Sequence, residues 1–237
     1  MKIRGTRECQ SCETQWSYYE TGSVSCPNCG AMRSVGVDEA RQTHTDAPAE
    51  LDLESVRRTL ASEPLDHVVD ELKERLRSYT RKRGFINGGE LQPLDDRYLA
   101  TRELLHAADL AARSRGPDEA AELYVLQLLG GADSGQWPPE TELPGSLEAA
   151  RGMAVVDAVE AYRRDLRTWL DDHPDPEAAK TLGTLRDQLK RADALQGEIP
   201  VETADELVDA TREIGDYLRT DEADALASAR DRLGRLQ

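Results

Sequence analysis

The sequence has little apolar and aromatic material. Hydrophobic residues make up 38% of the 237 residues and aromatic residues 5%, with one phenylalanine, Phe85. Globular domains usually contain about 45–50% apolar residues. The composition therefore favours thin layers of packed helices, with Leu, Val and Ala supplying the apolar area, over a thick β-sandwich core. The length allows one or two domains.

Long apolar runs are absent as well. No run of about 18 apolar residues is present, so the sequence predicts no membrane-spanning helix. The first ten residues, MKIRGTRECQ, lack the apolar core of a signal peptide, and we therefore expect a cytoplasmic location. In that compartment paired cysteines are typical of metal ligands rather than of disulfides.

Lysine is scarce and acidic residues are abundant. The chain has 5 Lys and 25 Arg against 46 Asp and Glu, giving a formal charge of −16. This balance resembles proteins of halophiles that keep molar salt in the cytosol, where charge repulsion is screened. An ordinary acidic mesophilic protein is the alternative. Residues 1–35 carry a net charge of +1, so the remainder carries −17 and would repel nucleic acid at low salt.

The motifs of common catalytic sites are also absent from the sequence. It has no Ser-His-Asp order, no Gly-rich phosphate loop and no His-Glu-x-x-His motif. His67, His106 and His173 have no cysteine or carboxylate at ligand spacing, and we expect His44 to be solvated. We therefore expect no catalytic residues and no small-molecule substrate. An enzyme with a site hidden in the helical part is the least favoured class.

All four cysteines lie near the N-terminus, in the pattern Cys9-x2-Cys12-x13-Cys26-x2-Cys29. Two residues between cysteines let one tight turn direct both sulfurs at one point, and two such turns complete a tetrahedron. Four thiolates suit one structural Zn²⁺ with no open coordination position. Iron and a redox dithiol are the alternatives.

The residues between the cysteine pairs predict a small β unit over residues 1–37. TQWSYYE, residues 14–20, is typical of a strand and TGS of a turn. Alternation would place Trp16 in the core of this unit and Tyr19 on the other face, as an exposed contact for a partner. Gly30 can adopt the unusual backbone angle that directs amides at sulfur.

The rest of the chain is predicted to be helical. Residues 38–50 are polar and aperiodic, which marks a linker, and residues 51–237 form an acidic all-α domain. Apolar spacing predicts helices over 52–61, 64–84, 94–114, 118–129 and 146–172, followed by three more. A division of this domain would fall in the proline-rich loop at 131–146.

Several residues are expected to mark helix ends. Gly116 and the pair Gly130 and Gly131 are expected to end helices, and Thr203 with Glu206 predicts a capping box at the start of another.

The only basic cluster is KERLRSYTRKRG, residues 73–84. Arg81, Lys82 and Arg83 lie near a predicted helix C-terminus, where cations complement the helix dipole. A site for phosphate or for an acidic partner surface is the alternative. A phosphate or an acidic partner could likewise bind at the basic residues of the β unit, which are Arg4, Arg7 and Arg33. In the loop at 131–146, Trp137 either caps the helical core or contacts a partner.

The segments CQSC and CPNCG resemble the zinc ribbon of transcription factor IIB-type proteins. The first 37 residues are similar to the head of uncharacterised zinc-ribbon proteins from halophilic archaea. The resemblance implies a three-stranded ribbon with Cys9, Cys12, Cys26 and Cys29 as zinc ligands, and a fold that docks on a polymerase or binds nucleic acid. Glu13 stands where such ribbons often have glycine after the second cysteine.

Together these features predict a small three-stranded β zinc ribbon followed by an all-α helical bundle. We expect a non-enzymatic interaction or regulatory protein that holds one structural Zn²⁺ and binds a protein partner. The alternative is a transcription-related factor whose ribbon contacts RNA polymerase or nucleic acid.

Overall fold

A computed structural model describes residues 1–113 and 118–236. Residues 1–45, here called the head, contain a three-stranded antiparallel sheet in the order β3-β2-β4, with Arg7 opposite Trp16 and Glu8 opposite Val35. A separate ladder pairs β1 with β5. The elements of the head are β1 (Lys2–Ile3), β2 (Thr6–Cys9), β3 (Gln15–Ser17), α1 (Tyr18–Thr21), β4 (Ser34–Gly36) and β5 (Gln42–Thr43).

Residues 51–236, here called the body, are mostly helical. Helix α4 packs against α3, α5 and α6, and α6 packs in turn against α7 and α8. Among the described residues no helix combines the length and apolar character needed to cross a membrane. The elements are α2 (Glu54–Leu60), α3 (Leu65–Lys82), β6 (Ile86–Asn87), β7 (Glu90–Leu91), α4 (Asp96–Arg113), α5 (Glu119–Ser134), α6 (Glu148–Leu170), α7 (Pro176–Ala194), α8 (Val201–Thr220) and α9 (Ala223–Arg235).

Some predicted helix ends differ from the structure. Helix α5 continues through Gly130 and Gly131 to Ser134, and Gly135 caps it in the left-handed conformation. Glycine is required at 131 because a Cβ there would lie 2.3 Å from the carbonyl oxygen of Gln136, in the turn that follows the helix. The capping box was wrong, since α8 begins after Pro200 and Thr203 lies inside it. The end predicted at Gly116 lies outside the described residues.

The body buries two apolar clusters that meet at a polar network. Trp137 packs against both clusters, so it caps the helical core. Its indole N–H donates to Glu103, which also accepts from Tyr124. The Arg151 guanidinium lies 3.9 Å from the Trp137 ring centre and donates to Glu103 and to both carboxylate oxygens of Asp205. Arg151 and Glu103 are at most 1% exposed, so burial raises the pKa of Glu103 while these donors oppose the rise.

Residues 38–50, which run from the end of the head toward the body, make specific contacts with the body. His44 is buried, which corrects the expectation of a solvated histidine. Its Nδ1 accepts from the Gly88 N–H at 3.3 Å, its ring lies 4.9 Å from that of Tyr19, and burial lowers its pKa. Thr43 donates to Asp172, which follows the C-terminus of α6, and Thr45 donates to Asp165 within α6. This polar segment, expected to be a linker, is therefore an ordered junction.

Tyr19 fills the same junction. It lies on α1 rather than on a strand, because the strand ends at Ser17, whose hydroxyl caps the short helix. The Tyr19 ring covers Gly5, where a Cβ would come within 2.0 Å of it, and Gly88, where a Cβ would lie 3.0 Å away. Tyr19 is therefore partly buried at the junction rather than freely exposed, and its role as a partner contact stays a prediction.

Candidate metal centre

The four cysteine side chains converge at one end of the head. Their sulfurs all lie within 4.8 Å of one another. The Sγ–Sγ distances are 3.6 Å for Cys9 and Cys29, 3.5 Å for Cys12 and Cys26, and 3.4 Å for Cys12 and Cys29. A tetrahedron with metal–sulfur bonds of about 2.3 Å has edges of about 3.8 Å. The four cysteines are thus positioned to bind one metal ion.

Matching backbone turns present the two cysteine pairs. In the first turn the Glu13 N–H donates to the Cys9 carbonyl, and in the second the Gly30 N–H donates to that of Cys26, both at 2.9 Å. Glu13 has φ +60° and Gly30 has φ +72°, so each turn ends in the left-handed conformation. Because both turns need a left-handed residue here, glycine suits the position after the second cysteine of each pair. Glu13, which has a Cβ, is strained in this conformation.

We expect Glu13→Gly to strengthen metal retention. A residue with a Cβ costs about 1 kcal/mol in the left-handed conformation, so relief of this strain should raise metal affinity about fivefold. Competition with a chelator, followed by metal release, measures the change. Glu13→Ala keeps the Cβ and should show no such gain; an equal gain in both variants would assign the effect to the lost charge instead.

Neighbouring donors favour the thiolate at two of the cysteines. The Thr14 hydroxyl lies 3.2 Å from the Cys12 sulfur and lowers the pKa of that thiol to about 6. The backbone N–H of Cys29 lowers the pKa of Cys26. The backbone N–H of Ala31 favours the Cys29 thiolate, but the Cys12 and Cys9 sulfurs and burial raise the pKa of Cys29 to about 12. Thiolates are the metal-binding form of cysteine, so these contacts favour metal binding at Cys12 and Cys26.

The apolar support of the centre is small. Cys9, Cys26 and Trp16 form a buried cluster of their own, with Ala31 packed beside it. The Trp16 indole N–H donates to the Ser23 carbonyl at 2.9 Å, so this side chain belongs to the core of the head. So small a cluster gives this end of the head little apolar stabilisation.

The basic residues singled out in the sequence fall into two groups. Arg4 and Arg33 are exposed on the head, whereas Arg7 is half-buried and donates to the hydroxyl and carbonyl of Ser34. At the C-terminal end of α3, Arg81 and Lys82 are exposed, and Arg83 pairs with Asp46 and Asp95 at 3.3 Å each. The structure does not bring these two groups together at the metal centre.

Fold and site define a protein with four cysteines positioned to bind one metal ion, on a small β head that packs against a helical body. The chain belongs to the family described as "Family of unknown function (DUF7117)", whose model matches residues 1–233. No curated protein and no solved structure matches it.

Proposed function

We propose that this protein is a non-enzymatic interaction or regulatory protein, with a head held by one structural Zn²⁺ that presents a binding surface for another protein. The donor set supports zinc, because four thiolates at tetrahedral spacing are typical of closed zinc sites. Such a site has no open position for a substrate or a reactive water, which supports a structural role for the ion.

The observation that carries the proposal is a set of exposed apolar side chains on the head. Val24, Met32, Val35 and Val37, here called the head patch, are 39%, 71%, 41% and 43% exposed. Val35 and Val37 alternate along β4 and its continuation, so they share one face. Strand β4 lies at the edge of the three-stranded sheet. Exposed apolar side chains beside an open strand edge are typical of a surface that a protein partner covers.

The head patch can be tested by affinity purification from the native host. We expect the double variant Met32→Asp, Val35→Asp to lose a partner that the wild-type chain retains, because each carboxylate would be buried without a counter-charge. Leu195→Asp is the matched control, since Leu195 is a 53% exposed leucine of the body. Retention of the same partners by the head-patch variant would contradict the proposal.

The transcription-related alternative makes a different prediction in the same experiment. It is supported by Arg4 and Arg33, which are exposed on the head and could contact phosphates. Recovery of RNA polymerase subunits, or of partners that nuclease treatment releases, would favour it. Purification should be carried out at both molar and low salt, because the composition fits a halophilic host or an ordinary mesophilic one.

A further inference from the structure

A cleft of about 320 Å³ lies beside the junction of head and body, and four arginines from three helical regions line it. Arg81 and Arg83 come from the end of α3, Arg102 from α4 and Arg164 from α6. We infer that this cleft binds a phosphorylated small molecule that also carries hydroxyl groups. The inference is independent of the function proposed for the head.

Two of the arginines are fixed in place as the inner wall. The Arg83 side chain is 18% exposed and is held by Asp46, Asp95 and the Gly84 carbonyl. The Arg102 side chain is 17% exposed; it donates to the Tyr98 hydroxyl at 2.8 Å and lies 3.7 Å from Asp157. Guanidinium groups have five N–H donors, so both retain donors for a ligand after these contacts. Such pre-oriented guanidinium groups suit phosphate.

The other two arginines form the outer rim with few partners. Among the described residues no ion pair involves Arg81, which is exposed. The Arg164 side chain is 68% exposed, and its ion pair with Glu160 has an N–O distance of 4.0 Å. Both guanidinium groups line the cleft, so an anion bound there would accept charge-assisted hydrogen bonds from them.

The remaining lining residues define the class of ligand. Asp165 is the one carboxylate among the residues that line the cleft, and its Oδ2 accepts from the Phe85 N–H and the Thr45 hydroxyl. A carboxylate disfavours phosphate beside it but accepts hydrogen bonds from hydroxyl groups. A ligand with phosphate at the arginines and hydroxyl groups toward Asp165 satisfies both ends. The volume fits a sugar phosphate or a small nucleotide rather than a polymer segment.

Ribose 5-phosphate is a suitable probe for this cleft, and calorimetry on the full chain measures its binding. We expect it to bind saturably, more tightly than inorganic phosphate, while ribose alone does not bind. The double variant Arg81→Gln, Arg164→Gln should weaken binding at least about tenfold, because two charge-assisted contacts are lost. Both side chains are exposed, so the fold should be retained, as circular dichroism would show.

The control is Arg58→Gln, Arg113→Gln, which changes the net charge equally at side chains that are each 74% exposed and outside the cleft. It should leave the affinity unchanged. Equal weakening in both double variants would assign binding to general charge and overturn the inference. Absence of saturable binding by both ribose 5-phosphate and phosphate would overturn it as well. If a short RNA binds and the Arg81→Gln, Arg164→Gln variant weakens that binding, while ribose 5-phosphate does not bind, the inference is wrong and the cleft is a polynucleotide site.

Discussion

Cys26→Ser is expected to abolish metal binding and to unfold the sheet of the head while most of the helical signal remains. Cys26 is 3% exposed and contributes both a ligand and part of the small cluster around Trp16. Structural zinc contributes roughly 10–16 kcal/mol in comparable small sites, far more than this cluster could supply. The body has its own two apolar clusters, so we expect it to stay folded without the ion.

Metal analysis and circular dichroism measure this prediction. The wild-type chain should contain about one zinc ion, and the variant none. Amide NMR signals of residues 6–36 should lose their dispersion in the variant. Ser11→Ala, a change between the first two cysteines, is the control and should retain the metal. Loss of most helical signal in Cys26→Ser would mean that the body requires the head, and iron in the purified protein would correct the identity of the metal.

Arg151→Ala is expected to lower the free energy of unfolding by about 3–5 kcal/mol. The change leaves Glu103, which is fully buried, without its only close cationic partner among the described residues, and removes the donor to the Pro138 carbonyl. It also removes the cation stacked on Trp137, where the two apolar clusters meet. Urea unfolding, monitored by circular dichroism, measures the loss.

Two further variants separate charge from packing in this network. Asp205→Asn should cost much less, because Asp205 is 30% exposed and the amide can still accept from Arg151. Arg151→Met combined with Glu103→Gln should recover part of the loss, since it removes both buried charges and restores packing volume. A loss below about 1 kcal/mol for Arg151→Ala would contradict the prediction and would mean that water or protonation of Glu103 relieves the buried charge.

The metal centre could be predicted from the sequence because the residues that form each half of it are close together in the chain. Each Cys-x-x-Cys pair sits on one turn, and the turn alone directs both sulfurs to one point. The sequence already showed that Glu13 stands where similar ribbons often have glycine. The structure shows that Glu13 adopts the left-handed conformation that glycine would favour. The helices of the body were also predictable from apolar spacing, although their ends depended on contacts such as the one beside Gly131.

The junction and the arginine cleft could not be predicted, because their contacts join residues that are far apart in the chain. His44 is buried by Tyr19 and Gly88, and Thr45 reaches Asp165 across 120 positions. Alternation failed at Tyr19 because a strand of three residues gives way to a helix. The basic cluster pointed to Arg81 and Arg83, but nothing in the sequence places Arg102 and Arg164 beside them.

The close packing of Tyr19 over Gly5 and Gly88 means that the head cannot rotate on the body without opening a cavity. A small module on a loose tether would sample many orientations, whereas this head faces a single direction. Molecules bound at the head patch and in the arginine cleft would therefore be held at one separation and one angle. The protein would then act as a rigid adaptor, and transplanting the head onto another body would require carrying the β6–β7 hairpin with it.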